Sequence, residues 1–384
     1  MTKQFDLVVI GASFAGLACA RTAAMRGLNV AIVDSKPDVG VRVRTTGILV
    51  KEVTDAFDFP SDRMRKIRGV RLYAPSGRHL DLYGPGYFFQ ATDTAGLLRW
   101  LACEAERAGA RLFLGQKFQL GYQDATGITI PAVNIRADYL IGADGARSRV
   151  AQVFDLGRNR RFLAGLELEA TPIEALDPRF LHCFADSSIA PGYIGWAFAG
   201  CGLTQFGAAA VLRKRPRLDK LIARAARLPG FKEIHAVERR SGLIPTGGPV
   251  SPLGRGRVLL IGDAAGLVSP LTGGGIHTAL QFGRRAAQLV SDYLYDRGPD
   301  PIAAFAREVP NFRAKRILRR ALDAVPPNRL IDLLLMTAPA RSMAERIFFH
   351  RRGGRKGEFE VWQEEFARKP VGSAAAPYRV SAKS

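Results

Sequence analysis

The sequence RVLLIGDAAGLVSPLTGGGIHTAL, residues 257–280, decides how the rest of the chain is organised. Its apolar run at 258–261 predicts a buried strand, and the Gly262-Asp263 turn places a carboxylate where that strand ends. In open α/β sheets, ligands bind at this end of the strands. The glycines at 273–275 then remove three β-carbons before a helix that begins near Ile276. A flat or phosphate-bearing ligand can therefore lie on the backbone and face the positive end of the helix.

A β-α-β unit opens the chain. Residues 6–10 (DLVVI) and 30–33 (VAIV) predict two strands, and the Ala-rich stretch 17–26, closed by Gly27, predicts the helix between them. An acid, Asp34, follows the second strand. Strand, helix and acid in this order favour a dinucleotide site over a plain β-α-β unit without a ligand.

The turn of this unit, GASFAG at 11–16, differs from the G-x-G-x-x-G fingerprint only by Ser13 in the middle position. Gly11 allows the tight turn, and Gly16 lets the helix pack close to the sheet. The helix N-terminus then faces a pyrophosphate, while Asp34 accepts hydrogen bonds from ribose hydroxyls.

Bulk composition bounds the class of protein. With 384 residues and 47% hydrophobic content, the chain predicts two joined globular domains, and no segment reaches the roughly 18 apolar residues of a membrane span. The strand at 6–10 leaves no room for a signal peptide. Four widely spaced cysteines form no Cys-x-x-Cys pair, so neither a disulfide framework nor a metal site is expected. These features predict a cytoplasmic α/β protein.

The net charge of +21 indicates either an anionic partner or an arginine-rich solvated surface. Nucleic acid is an unlikely partner because no nucleic-acid-binding module is recognisable. Between 313 and 356 the chain holds 12 basic residues against three acids. Two apolar runs there, 330–336 (LIDLLLM) and 347–349 (IFF), either dock on an anionic membrane surface or cap an apolar channel.

The pattern divides the chain into regions. We expect a discontinuous Rossmann-like domain (1–66, 88–160 and 250–300) with a parallel sheet and a loop-rich stretch at 35–60. We expect an antiparallel-sheet domain for the substrate (67–87 and 161–249), which includes a hairpin at 68–83 and a strand at 193–199. A basic helical region at 301–370 and a disordered tail at 371–384 complete the prediction.

Three dispersed motifs, GASFAG with Asp34, GADG at 142–145 and GDAAG at 262–266, together resemble the flavoprotein superfamily of aromatic-ring hydroxylases, flavin halogenases and geranylgeranyl reductases. The resemblance covers roughly residues 1–300 and implies FAD as the cofactor. In that superfamily the second motif touches the cofactor and the Asp of the third binds the ribityl chain. The resemblance therefore implies these roles for Asp144 and Asp263.

The resemblance and the fingerprint together assign FAD contacts to these positions: Gly11, Ser13, Phe14, Ala15, Gly16, Asp34, Ser35, Arg44, Gln90, Asp144, Gly145, Gly262, Asp263, Pro270, Gly273, Gly274, Gly275 and Ile276. The last four positions would lie beside the flavin pyrimidine ring. No metal site is expected.

Two further stretches select a branch of the superfamily. The run GDAAG…PLTGGGI and the segment PGYIGWAF at 191–198 are similar to the geranylgeranyl reductase pattern. This chain has Thr45 where that family usually has Cys, and Ala199 where its aromatic motif ends in Pro. The resemblance implies a reductase in which reduced flavin delivers hydride to a C=C bond of an isoprenoid or other lipid-like substrate.

Candidate substrate-lining residues are Tyr193, Trp196 and Thr45, although the first two also fit plain sheet packing. Their spacing of three along a predicted strand points them to opposite faces unless Gly195 forms a bulge. His277 fits a local hydrogen-bonding role better than that of an acid. No residue is assigned as the catalytic acid.

Two alternatives remain open at this stage: an oxygen-using monooxygenase or halogenase, and a non-catalytic membrane-binding flavoprotein. The electron donor (NAD(P)H, ferredoxin or another reductase) is unassigned, because a single nucleotide fingerprint is visible. The predicted location is the cytoplasm, with peripheral attachment to the inner face of a membrane as a further option.

Overall fold

The computed structural model describes residues 2–228, 230–231 and 233–349. The strands within these ranges are β1 (Lys3–Ile10), β2 (Val30–Val33), β3 (Ile48–Val50), β4 (Met64–Ile67), β5 (Gly69–Tyr73), β6 (His79–Tyr83), β7 (Phe89–Thr92), β8 (Arg111–Phe113), β9 (Tyr122–Gln123), β10 (Ile128–Ile130), β11 (Ile135–Gly142), β12 (Phe162–Ala170), β13 (Phe180–Phe184), β14 (Gly195–Ala199), β15 (Thr204–Val211), β16 (Ala236–Pro245), β17 (Gly254–Arg255) and β18 (Val258–Leu260).

The helices are α1 (Phe14–Met25), α2 (Lys51–Ala56), α3 (Thr94–Arg107), α4 (Arg149–Val153), α5 (Leu218–Ala225), α6 (Ile276–Leu294), α7 (Pro301–Glu308), α8 (Arg313–Asp323), α9 (Asn328–Leu335) and α10 (Ala338–Phe349). The predicted helix near residue 276 is confirmed as α6. Asp93 caps α3 by accepting a 2.9 Å hydrogen bond from the Gly96 amide.

A mostly parallel sheet forms the first layer, in the order β17-β18-β11-β1-β2-β8. β1 pairs in parallel with β2 and β11, and β18 pairs in parallel with β11. Leu7, Val8 and Val9 on β1 have no exposed surface, because helices cover both faces. The carboxyl ends of β1, β2, β11 and β18 meet at one edge, so the three predicted cofactor motifs lie together there.

The second layer is a seven-stranded sheet in the order β16-β12-β15-β14-β13-β5-β6. The hairpin predicted at 68–83 is confirmed as β5 and β6. The predicted antiparallel sheet is confirmed, with one parallel pair, β13 with β5, among its strands. Almost one hundred residues of chain run between β6 and β13, which is enough for the crossover that a parallel pair needs.

A third sheet, in the order β3-β7-β4, was not predicted. The stretch 35–60 is loop-rich up to residue 47 but then forms β3 and α2. β3 pairs with β7, about forty residues later in the chain, and has no hairpin partner of its own. Short strands of this kind carry little local periodicity, so their pairing depends on the assembled layers.

The predicted strand at 193–199 begins at Gly195 instead, and Tyr193 lies in the turn before it. The premise that Tyr193 and Trp196 share a strand was therefore wrong. Their rings make an edge-to-face contact with centroids 6.4 Å apart. The backbone turn at Gly192, with φ +76°, frees Tyr193 from the alternation of the strand.

Four helices, α7 to α10, form the C-terminal region as far as Phe349. The predicted helical residues 350–370 and the predicted tail at 371–384 lie outside the described residues. Among the helices that the structure describes, none combines the length and apolar character needed to cross a membrane.

Candidate functional site

Two glycines bring backbone segments of the first cofactor motif into close contact. A β-carbon on Gly11 would lie 2.3 Å from the Ala143 carbonyl oxygen, and one on Gly16 would lie 1.8 Å from the Gly11 carbonyl oxygen. Gly11 also has φ +109°, which disfavours any residue with a side chain. The two positions therefore admit only glycine, because turn, helix and second motif touch one another there.

The first turn of α1 is open to an anionic ligand. Ser13 occupies the N-cap, but its side chain makes no capping hydrogen bond, and no acid lies in the first turn. Ser13 is exposed, whereas the side chains of Phe14 and Ala15 are buried in the core. Phe14 and Ala15 can therefore face a ligand with their backbone amides but not with their side chains. These amides form part of the positive end of the helix.

Asp34 closes the turn from the opposite side. Its Oδ2 accepts a 2.7 Å hydrogen bond from the Ala12 amide, and its Oδ1 accepts a 2.8 Å bond from the Lys36 amide. The carboxylate is half-buried, and each oxygen retains lone pairs for a further donor. Ser35 beside it is exposed.

Asp144 in the second motif has a visible structural role. Its Oδ2 accepts from the amides of Arg149 (2.6 Å) and Val150 (3.0 Å) at the start of α4, while its Oδ1 is buried without a partner. Burial raises the pKa of Asp144, and the hydrogen bonds from Ser148 and the two amides oppose this shift. One oxygen thus fixes the turn and the other is left unsatisfied. Gly145 beside it has φ +87° and open space at its β-carbon position.

Asp263 in the third motif has no hydrogen-bond or ion-pair partner for its carboxylate among the described residues. Although part of the residue remains accessible to solvent, burial of the carboxylate raises its pKa to about 6. The neighbouring Gly262 packs against α1, since a β-carbon there would lie 2.8 Å from Ala15 Cβ. An unpaired carboxylate in such surroundings is suited to accept hydrogen bonds from a ligand.

The glycine loop before α6 is held by the second sheet. The Tyr193 hydroxyl donates to the Thr272 carbonyl, and the Gly273 amide donates to the Ser269 carbonyl at 2.9 Å. Pro270 is buried, while Gly274 is exposed. A β-carbon on Gly273 would lie 2.8 Å from the Tyr193 hydroxyl and 3.5 Å from Ile244 Cγ2. The loop, Tyr193 and β16 therefore meet at one point.

The face of the second sheet beside this point is lined by glycine. Gly165 on β12 pairs with Gly242 on β16, and a β-carbon on Gly165 would meet no atom closer than 3.7 Å. A β-carbon on Gly242 would lie 3.5 Å from the backbone oxygen of Arg44. This face leaves space between the sheet and the loop that carries Arg44 and Thr45.

A buried polar cluster, which sequence reasoning missed, borders that face. Arg240, Glu167, Gly207 and Trp196 are register neighbours across β16, β12, β15 and β14. The Trp196 ring lies over Gly207, since a β-carbon there would be 2.2 Å from the indole. Arg240 also donates to Glu169.

Several polar atoms of this cluster remain unsatisfied. Glu167 Oε1, Trp196 Nε1 and Arg240 Nε are buried without a hydrogen-bond partner. Burial raises the pKa of Glu167, against the effects of a hydrogen bond from Thr46 and the charge of Arg240. In the sequence LELEA, the two acids alternate with leucine as they do on a solvated strand face, which concealed their burial.

The remaining predicted site residues differ in their burial and location. Arg44 is exposed and Thr45 is half-buried. Gln90 is buried on β7 with an unpaired Oε1. Ile276 and His277 begin α6, but His277 lines a cavity of about 390 Å³ with Phe57 and Gln281, away from the glycine loop.

The helix α8 braces the Tyr193 turn. Arg319 is 1% exposed, donates to the Gly192 carbonyl, and donates to Asp323 at 2.9 Å. Its guanidinium carbon lies 5.9 Å from the centre of the Tyr193 ring. Arg319 therefore does not belong to the arginine-rich solvated surface that the net charge allowed as one alternative. A basic helix gave no local signal for this contact.

The site as a whole fits FAD in its chemistry. An uncapped helix N-terminus and glycines without room for a β-carbon suit a pyrophosphate. The unpaired carboxylate of Asp263 and the lone pairs of Asp34 suit the hydroxyls of ribityl and ribose. The flat glycine loop before α6, with no acid in the first turn of the helix, suits a ring that gains negative charge.

Comparisons with known proteins agree with this chemistry. Residues 5–227 match the family model of pyridine nucleotide-disulphide oxidoreductases, and residues 203–333 match that of lycopene cyclase proteins. The digeranylgeranylglycerophospholipid reductase of Methanothrix thermoacetophila is 30% identical over 351 residues, which cover 82% of this chain and 85% of the relative.

Solved structures share the fold. A geranylgeranyl bacteriochlorophyll reductase-like protein from Thermoplasma acidophilum has a TM-score of 0.78 at 21% identity, covering 94% of this chain and 99% of its own. The flavin-dependent brominase Bmp2 has a TM-score of 0.66 at 15% identity, covering 96% of this chain and 100% of its own.

Proposed function

The chain belongs to the digeranylgeranylglycerophospholipid reductase family and is an FAD-dependent oxidoreductase, and we propose that it reduces C=C bonds of an isoprenoid lipid. The observation that carries this proposal is the 30% identity to a named reductase across more than four fifths of both chains. The brominase likeness, at 15% identity, extends only to the fold. An oxygen-using reaction therefore has weaker support.

We propose that FAD lies along the edge where the three motifs meet. The first turn of α1 would hold the pyrophosphate, and Asp34 and Asp263 would accept hydrogen bonds from ribose and ribityl hydroxyls. The glycines at 273–275 would lie against the isoalloxazine ring. FAD, when bound and reduced, supplies the hydride.

The substrate alkene would lie over the glycine-lined face of the second sheet. Gly165 and Gly242 leave space there, and Tyr193 fixes the glycine loop against the same face. Trp196 provides an apolar edge to this space. The contribution of these residues is to orient the alkene and to exclude water, which raises the effective concentration of the reacting groups.

The two apolar C-terminal runs differ in their exposure to solvent. Phe349 is 2% exposed and packs on Gly84 and Tyr87, which supports a capping role for 347–349. Ile317 is 67% exposed on α8, which holds four arginines, and Leu333 is 70% exposed on α9. We propose that α8 and α9 dock on an anionic membrane surface, from which a lipid substrate can enter.

The reaction is tested by anaerobic incubation of dithionite-reduced protein with lipids that carry geranylgeranyl chains. Mass spectrometry should find gains of two mass units per reduced bond. No gain across diverse prenyl lipids, together with substrate-stimulated oxygen consumption in air, would establish the oxygen-using alternative.

Membrane docking is tested by sedimentation with vesicles. Binding should require anionic lipid and fall in the double variant Leu333→Ser, Ile317→Ser, with Leu120→Ser as the matched exposed control. Equal binding to neutral vesicles, or no effect of the double variant, contradicts docking through α8 and α9.

A further inference from the structure

A cavity of about 290 Å³ lies behind the second and third cofactor motifs. Its wall includes Ala146, which follows the second motif, and Ala264 of the third. Its polar lining includes Arg147, Arg158 and Arg160. No part of the site described above uses these three arginines.

The cavity carries uncompensated positive charge. Among the described residues, Arg147, Arg158 and Arg160 form no ion pair or hydrogen bond through their guanidinium groups, and no acid lines the cavity. The segment 147–161 holds five arginines and one acid, Asp155, whose carboxylate lies 3.3 Å from Arg255. All three arginines are exposed, and three guanidinium groups without acceptors around one cavity favour a phosphate-bearing ligand, because arginine binds phosphate oxygens through paired N–H donors.

The wall of the cavity is tied rigidly to the cofactor edge. Asn159 donates from Nδ2 to the Ala146 carbonyl at 3.1 Å and to the Asp263 carbonyl at 2.8 Å, so one side chain joins the third motif to the residue after the second. Ser13, Asp34 and the glycine loop do not line the cavity. The cavity is therefore adjacent to the proposed FAD site but separate from it.

We propose that this cavity binds the diphosphate of a pyridine nucleotide, which would be the reductant. The inference rests on the proposed reductase function. The matched family is named for pyridine nucleotides, and its match at 5–227 includes all three arginines. The chain's β-α-β fingerprint is already assigned to FAD, so a second nucleotide needs another site.

The size of the cavity limits what it holds. Complete small-molecule sites measure roughly 300–1,000 Å³. At about 290 Å³ the cavity accommodates the phosphate-bearing centre of the nucleotide, while the remainder lies along the surface. A reduced pyridine nucleotide also balances the proposed reaction: one hydride from it and one proton from water convert one alkene to an alkane, and the oxidised nucleotide leaves.

Binding is tested on the FAD-loaded, oxidised protein by calorimetric titration with NAD⁺ and NADP⁺ at constant ionic strength. The variants Arg147→Gln, Arg158→Gln and Arg160→Gln should each weaken binding of the preferred nucleotide about tenfold. Arg213→Gln, at an exposed arginine that does not line the cavity, is the matched control and should leave binding unchanged. Retained FAD absorbance reports that each variant is folded.

Three outcomes overturn the proposal. Binding of glycerol phosphate with the same arginine dependence, while neither nucleotide binds, would assign the cavity to a lipid headgroup. Nucleotide binding to cofactor-free protein that disappears on FAD loading would assign it to FAD. Nucleotide binding that is indifferent to all three substitutions would place the nucleotide elsewhere.

A separate measurement keeps this inference distinct from the proposed function. Dithionite-reduced protein should reduce a prenyl lipid in a single turnover, with the same yield in the wild type and the three arginine variants. A wild type that fails here contradicts the reductase proposal, whereas the titrations alone decide the nucleotide site.

Discussion

Replacing Asp263 with Asn is expected to stabilise the cofactor-free protein and to weaken FAD binding. The carboxylate has no partner among the described residues, and burial raises its pKa from 3.8 to about 6. A raised carboxyl pKa means that the folded state resists ionisation, so the ionised group destabilises the fold at neutral pH. Asparagine has nearly the same shape and no charge.

The magnitude follows from the shift. A change from 3.8 to about 6 corresponds to about 3 kcal/mol at pH 8, where the group is ionised in both the folded and the unfolded state. The penalty shrinks as pH falls through 6, to about half at pH 5, and vanishes below 3.8. The variant should therefore gain about 3 kcal/mol of unfolding free energy at pH 8 and about half of that at pH 5.

The assay is urea unfolding of FAD-free protein at several pH values, combined with FAD titration by fluorescence. Loss of a hydrogen bond to a charged group should weaken FAD binding roughly 10- to 150-fold. Asp38→Asn is the control with opposite sign, because the hydrogen bond from Arg99 lowers the pKa of Asp38 and its loss should destabilise the fold. Destabilisation by Asp263→Asn at pH 8, or a gain that does not fall between pH 8 and pH 5, refutes the reasoning.

Three further substitutions test the site. Tyr193→Phe removes the hydroxyl that donates to Thr272, so the free energy of unfolding in urea should fall by about 1 kcal/mol and lipid turnover should also fall. Tyr122→Phe, at an exposed tyrosine, should change neither quantity. Gly165→Leu should fill the space above the second sheet and raise the KM for the lipid while FAD binding persists. Gly165→Ala should be tolerated, because its β-carbon would meet no atom closer than 3.7 Å. Equal effects of the two substitutions would contradict the proposed alkene position. Arg240→Leu leaves Glu169 and Glu167 without their cation and should cost about 3–5 kcal/mol of unfolding free energy, whereas a loss below about 1 kcal/mol implies that water already satisfies the acids.

Sequence alone predicted the cofactor edge because its requirements are local. Gly11, Gly16 and Asp34 are fixed by the geometry of one β-α-β unit, and that geometry needs no knowledge of distant residues. The same holds for the hairpin at 68–83. The FAD-dependent oxidoreductase class followed from the resemblance of three such motifs, in this order, to a flavoprotein superfamily.

Only the tertiary structure decided what lies opposite the cofactor edge. Tyr193 reaches Thr272 across 79 positions, and Arg319 reaches Gly192 across 127, so neither contact leaves a periodic signal. Glu167 and Arg240 resemble solvated residues in the sequence, because alternation shows which residues share a strand face but not what covers that face. Residues that are neighbours in the chain set the local chemistry of the motifs. Burial and the pairing of charges depend instead on which layers pack together, and here those layers bring together segments from all parts of the fold.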